Sequence, residues 1–152
     1  MNSRYDHTQH GRLHFILIGI AILLFAVVAP QAGAKPAVAG GFRLVATLFV
    51  ALASMFAYLK VTEDEDHILV AFGPLSLFSR KVRFADIKDA RATRSKLIDG
   101  WGVHWIMGRG WTWNVWGFDC VMIEFHSGRT LRLGTDDSQA LAELLRERAS
   151  SE

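Results

Sequence analysis

The sequence predicts two membrane-spanning helices followed by a small, mainly antiparallel β domain closed by one C-terminal helix. Three observations predict this. Leu13 to Ala29 and Phe42 to Leu59 are apolar runs close to the ~20 residues a helix needs to cross a bilayer's hydrocarbon core. From Lys60 the hydrophobic period becomes that of strands, with turn residues between short runs. From Asp136 it changes again, to a helical stripe.

Residues 1–12 read as a short polar tail. His7, His10 and His14 fall at helical spacing, which in a helix would align three imidazoles as transition-metal ligands. Gly11 weakens such a helix, and incidental histidines in a tail have the same spacing, so no metal and no cofactor is expected. The first span, 13–29, carries only His14 at its edge, and Pro30 is expected to end it. The connector 30–41 is rich in Ala and Gly. Arg4, Arg12, an apolar core and Ala32-Gly33-Ala34 also resemble a cleavable signal peptide. The length of the run, Asp6 ahead of it and the immediate second span favour a retained hairpin. In the second span, 42–59, Arg43 can snorkel to the headgroups and Tyr58 marks the opposite interface.

Two spans put both chain ends on one side. Arg4, Arg12 and Lys60 flank that side, Lys35 and Arg43 the other, so the positive-inside rule discriminates weakly. The single Cys120 cannot form an internal disulfide and suits the reducing, cytoplasmic side.

In the domain, 60–149, His67 to Phe72 is rich in strand formers and stops at Gly73-Pro74. Leu77 to Phe84 alternates, and Ile87 to Lys96 is a weaker, polar strand. Val103 to Met107 and Trp111 to Val115 flank Gly108-Arg109-Gly110 as a hairpin. Phe118 to His126 and Arg129 to Gly134 flank the two-residue turn Ser127-Gly128. Asp136 and Gln139 form a capping-box pattern ahead of a stripe of Leu141, Leu144 and Leu145, with Arg146 and Arg148 at the helix's negative end. About seven strands and one helix imply a barrel or sandwich plugged by that helix.

GWGVHW, GWTWNVWGFDCVMIEFHSGRTLRLGTDD and the Leu-rich last helix together resemble a bacterial pleckstrin-homology-like domain, of the kind that follows two membrane helices in bacterial membrane proteins. The likeness covers most of Val61 to Arg148 and is strongest at Gly100 to Val103, Asn114 to Gly117 and Gly128 to Asp136. It implies two orthogonal antiparallel sheets with a C-terminal helix at one end, placement in the bacterial cytoplasmic membrane, and no catalytic residue.

A formal net charge of +2 makes no electrostatic case for nucleic acid. The distribution is polarised. Lys60 to Ser79 holds Glu63, Asp64, Glu65 and Asp66 near the membrane exit, and Arg80 to Arg109 holds eight basic residues against three acids. Alternation puts Lys81 and Arg83 on one sheet face, where they are either solvated charges or an attraction for anionic lipid. Trp101, Trp105, Trp111, Trp113 and Trp116 crowd one segment and make either core or a contact surface. Arg109, held between glycines beside Trp111, is the expected tip of that surface. Cys120 and His126 are the obvious nucleophile and base types, but six residues of strand separate them by roughly 20 Å. The expectation is therefore a binding or scaffold module, not an enzyme. It docks on another membrane protein or on itself, with reading of anionic lipid as the alternative, through Arg109, Trp111, Lys81 and Arg83.

Overall fold

The computed structural model describes residues 4–31, 35–95, 101–108 and 110–151. Strand β1 (Asp6–His10) leads into helix α1 (Leu13–Gln31), and helix α2 (Pro36–Met55) leads out into strand β2 (Tyr58–Glu63). Both helices are long and apolar enough to cross a membrane, with mean hydropathy 2.6 and 1.8. Pro30 does not end α1. A proline lacks the N–H its helix needs and crowds the carbonyl four residues back. The ladder widens to π geometry over Leu23–Val28, where the Ala29 N–H reaches five residues back to the Leu24 carbonyl, and the helix runs on to Gln31. Pro36 at the first turn of α2 starts that helix before Phe42. It stops at Met55, so Tyr58 opens a strand instead of finishing a span. Ala39, Ala46 and Ala53, seven residues apart, are the buried positions of α2, and Ala21 and Ala29 those of α1. The helices meet on small residues and turn Phe15, Ile22, Phe25, Leu44 and Leu48 outward.

The polar tail is a strand. β1 pairs antiparallel with β2, His10 opposite Tyr58, and the Gly11 N–H donates to the Ala57 carbonyl at 2.9 Å. Both ends of the helical hairpin therefore sit side by side. A strand also replaces the helix that would have aligned His7, His10 and His14. Residues three apart on a strand face opposite ways, and His14 belongs to α1.

Strands β3 (His67–Phe72) and β4 (Ser79–Arg83) complete a four-stranded antiparallel sheet in the order β1-β2-β3-β4. A short 3₁₀ turn, Phe84–Asp86, passes to the second sheet. There β5 (Ile87–Arg94), β6 (Gly102–Ile106), β7 (Gly110–Asn114), β8 (Asp119–Phe125) and β9 (Thr130–Gly134) lie in the order β5-β8-β9-β7-β6. β7 and β9 run parallel, so the sheet is mixed, and the described residues make nine strands instead of about seven. Among them no ladder joins the two sheets, and the expected barrel is not closed.

The core lies between the sheets. Leu59, Val61, Ile68, Val70, Phe72 and Val82 face Trp113, Val121, Ile123, Leu131 and Leu133. Helix α3 (Ser138–Ser150) closes the end beside β5 and β8 with Leu141, Ala142 and Leu145. Leu144, expected in that stripe, is only partly buried. The capping box does not form: the N-cap is Asp137, without a side-chain cap bond. Tyr5 Oη donates to Asp137 at 3.3 Å, and His7 Nε2 lies 2.6 Å from Asp136 Oδ1. Burial and the Asp137 charge both push the Tyr5 phenol above its ordinary pKa. The acidic run lies at the end of β2 away from the helices, six strand residues or roughly 20 Å from the chain's exit. There Arg4 meets Asp64 and Glu65, and Arg148 Nε reaches Glu63 at 3.0 Å.

Candidate functional site

On β4 the alternation turns Ser79, Lys81 and Arg83 outward and Val82 into the core. Arg80 shares the phase of Val82 and is half-buried on the edge strand of its sheet. On β9, Leu131 and Leu133 face the core. Arg129, two residues before Leu131, has their phase and lies just outside the strand. Both arginines thus point to the place where the two sheets part. Two adjoining cavities there, of about 320 and 440 Å³, both include Arg80 and Arg129 in their walls. Lys81, Asp86 and His126 add to the first; Trp105, Trp111 and Thr130 add to the second.

The electrostatics of this cleft are one-sided. The Arg80 guanidinium carbon stands 5.9 Å from the centre of the Phe125 ring. Its pKa is held below the ordinary arginine value, first by burial and then by the neighbouring Arg129 charge. Among the described residues neither arginine meets a carboxylate within 4.0 Å. The one acid in the wall, Asp86, pairs with Arg83 Nε at 3.2 Å.

The basic stretch 80–96 does not make one face. Lys81 and Arg83 lie together on the outer face of the first sheet, Arg83 bound to Asp86. Arg91 and Arg94 lie on the second sheet, 3.4 Å from Glu124 and 3.1 Å from Asp119. Lys96 and Arg109 lie outside the described residues. Of the tryptophans, Trp113 is core, packed on Phe72 with ring centres 5.7 Å apart. Trp101 and Trp116 stack at 4.6 Å. Trp105 and Trp111 are cross-strand neighbours and stay 56% and 43% exposed. Cys120 is buried, and the length of β8 separates it from His126.

Three segments of the domain are pinned to the ends of the helical hairpin. Gly73, at φ +58°, has no room for a Cβ, which would lie 2.5 Å from the Ser54 carbonyl. A Cβ on Gly102, at the base of the β6–β7 hairpin, would lie 3.6 Å from the Phe56 ring. A Cβ on Gly11 would come within 2.6 Å of Val115, and Gln9 Nε2 donates to the Trp116 carbonyl at 2.9 Å. These segments carry the domain's exposed large apolar side chains. Leu75, Leu77 and Phe78 follow Gly73; Trp105, Met107 and Trp111 belong to the hairpin; Phe118 follows Val115 to Gly117. β6 is also the edge of its sheet farthest from the strands that α3 covers.

The sequence reading missed Arg80 and Arg129 as a pair. Their signal was a cation in the core-facing phase, one step beyond the apolar residues of each strand. No protein-family model matches this chain, and no curated protein is similar to it.

Proposed function

We propose that this protein is a membrane-anchored binding module. Helices α1 and α2 cross a bacterial cytoplasmic membrane. The β domain, a pleckstrin-homology-like sandwich of two crossed sheets plugged by α3, lies on the cytoplasmic surface. The observation that carries this reading is the placement of the exposed apolar residues on the three segments pinned to the hairpin. A soluble surface rarely gathers so many large apolar groups, whereas a headgroup layer accommodates Trp and Leu side chains beside a span. The cationic cleft would add a second attraction for anionic headgroups, about 1 kcal/mol for each arginine.

The full chain in bilayers carrying lipids brominated near the headgroups tests this. Its tryptophan emission is expected to be quenched, and changing Trp105 and Trp111 to Phe should remove a large part of that quenching. Emission that ignores shallow bromines would overturn the reading. A second membrane protein, or a second copy of the chain, as the occupant is favoured by one observation. β6 is an edge strand carrying exposed Trp105, and such an edge can accept another strand. Co-purification in mild detergent with mass spectrometry tests that reading.

A further inference from the structure

We propose that the cleft between β4 and the β8–β9 turn binds a phosphate group, held between the guanidiniums of Arg80 and Arg129. The geometry suits an anion. Two cations converge from different sheets into one cavity, and among the described residues no carboxylate compensates them. Four other arginines of the domain do meet acids: Arg83, Arg91, Arg94 and Arg148. Guanidinium forks match phosphate oxygens in pairs, and a half-buried setting strengthens that contact over its value in water. Arg80 is held by its stem and by the Phe125 ring, so little freedom is lost on binding. Trp111 lines the same cavity, and its indole N–H is a donor for a remaining oxygen. The lowered pKa of Arg80 agrees, since burial and a like charge both disfavour its charged form until an anion arrives.

The phosphate has two possible sources: a free phosphate compound or a lipid headgroup. The headgroup rests on the anchored reading above, because β4 begins directly after the apolar loop of Leu75, Leu77 and Phe78. One set of titrations separates them. The full chain in dodecyl maltoside is titrated with inorganic phosphate, glycerol 3-phosphate and dihexanoyl phosphatidate. Tryptophan emission is the readout, because Trp105 and Trp111 line the cleft.

A saturable change is expected, with Arg129→Gln weakening it at least tenfold and Arg94→Gln leaving it unaltered. Arg129 is exposed, so its change leaves the core intact, and circular dichroism checks this. Saturation by the lipid alone assigns a headgroup. Saturation by all three at similar concentrations assigns a free phosphate. No saturable change with any of them overturns the proposal, as does binding by Arg80→Gln and Arg129→Gln that is as tight as the unaltered chain's. The titration needs no bilayer, so its failure leaves the bromine quenching of Trp105 and Trp111 intact. Failure of the quenching would leave phosphate binding in detergent standing.

Discussion

Single residues divide sharply between those that hold the fold and those left over for contact. Leu145 is wholly buried beside β5 and β8, and removing its side chain leaves a cavity that the packed core cannot refill. Leu145→Ala should cost about 2–5 kcal/mol in a denaturant titration, and Leu144→Ala, at a half-open position, clearly less. Asn114 is the polar counterpart. It is 1% exposed, its Oδ1 accepts from the Trp116 N–H at 3.0 Å, and its Nδ2 donates to the Gly117 carbonyl at 3.1 Å. Asn114→Ala strands the Trp116 N–H inside the turn, while the Gly117 carbonyl keeps the Trp101 indole N–H at 3.2 Å, so a loss of about 1–3 kcal/mol is expected. Gly134 packs so closely on Asn114 that any Cβ there would collide with it, which explains a glycine at the end of β9. Arg80 and Arg129 belong to neither kind. Each occupies a core-facing phase without a core to join, and a stability measurement on either glutamine variant should show little change.

At the scale of elements, β1 ties the N-terminus into the domain across the helical hairpin. It supplies one edge of the first sheet and brings Tyr5 and His7 to Asp137 and Asp136. Cleavage after Ala34 would remove that edge and leave β2 unpaired on one side. The mature protein is therefore expected to keep the residues ahead of Leu13, and N-terminal sequencing that begins at Lys35 would refute this. The tail gave no sign of being a strand, because Asp-His-Thr-Gln-His has no apolar alternation. It is a strand through long-range pairing and polar ties, which a local pattern does not carry. The alternation of β4 and the leucines of α3 were legible because each writes its geometry into neighbouring residues. The turn after β8 was legible in place but not in length: Phe125 stands opposite Arg129, so the loop is the three residues His126, Ser127 and Gly128 instead of two. The parallel pairing of β7 with β9 was not, since parallel neighbours need no shared turn. The same reason hid the cleft. Arg80 and Arg129 are forty-nine positions apart and meet only because the sheets stack.

For the whole molecule, the arrangement of β1, the hairpin and β2 makes a direct test of what the helices are for. His10 and Tyr58 are partners at the end of an antiparallel ladder, so the chain could turn there without any helix. Replacing residues 11–57 with Asn-Gly would join β1 to β2 as an ordinary two-residue β-hairpin. The core between the sheets takes most of its side chains from Leu59 onward, so this shortened chain is expected to fold. Phe56 and the Gly11–Val115 contact are lost, and a melting temperature a few degrees lower is the expected mark. Gly73 and Gly102, which begin the two apolar segments, then lose the helix ends beside them. On the anchored reading these segments should seek a bilayer by themselves. The shortened domain should sediment with phosphatidylglycerol vesicles, and less with phosphatidylcholine vesicles because the cleft is cationic. Changing Leu75 and Leu77 to Glu should release it from both, since the two side chains are 66% and 67% exposed and support no core. A folded, monodisperse domain that ignores vesicles of either kind would mean these side chains face a protein. The helices would then serve to deliver the domain to that partner within the membrane.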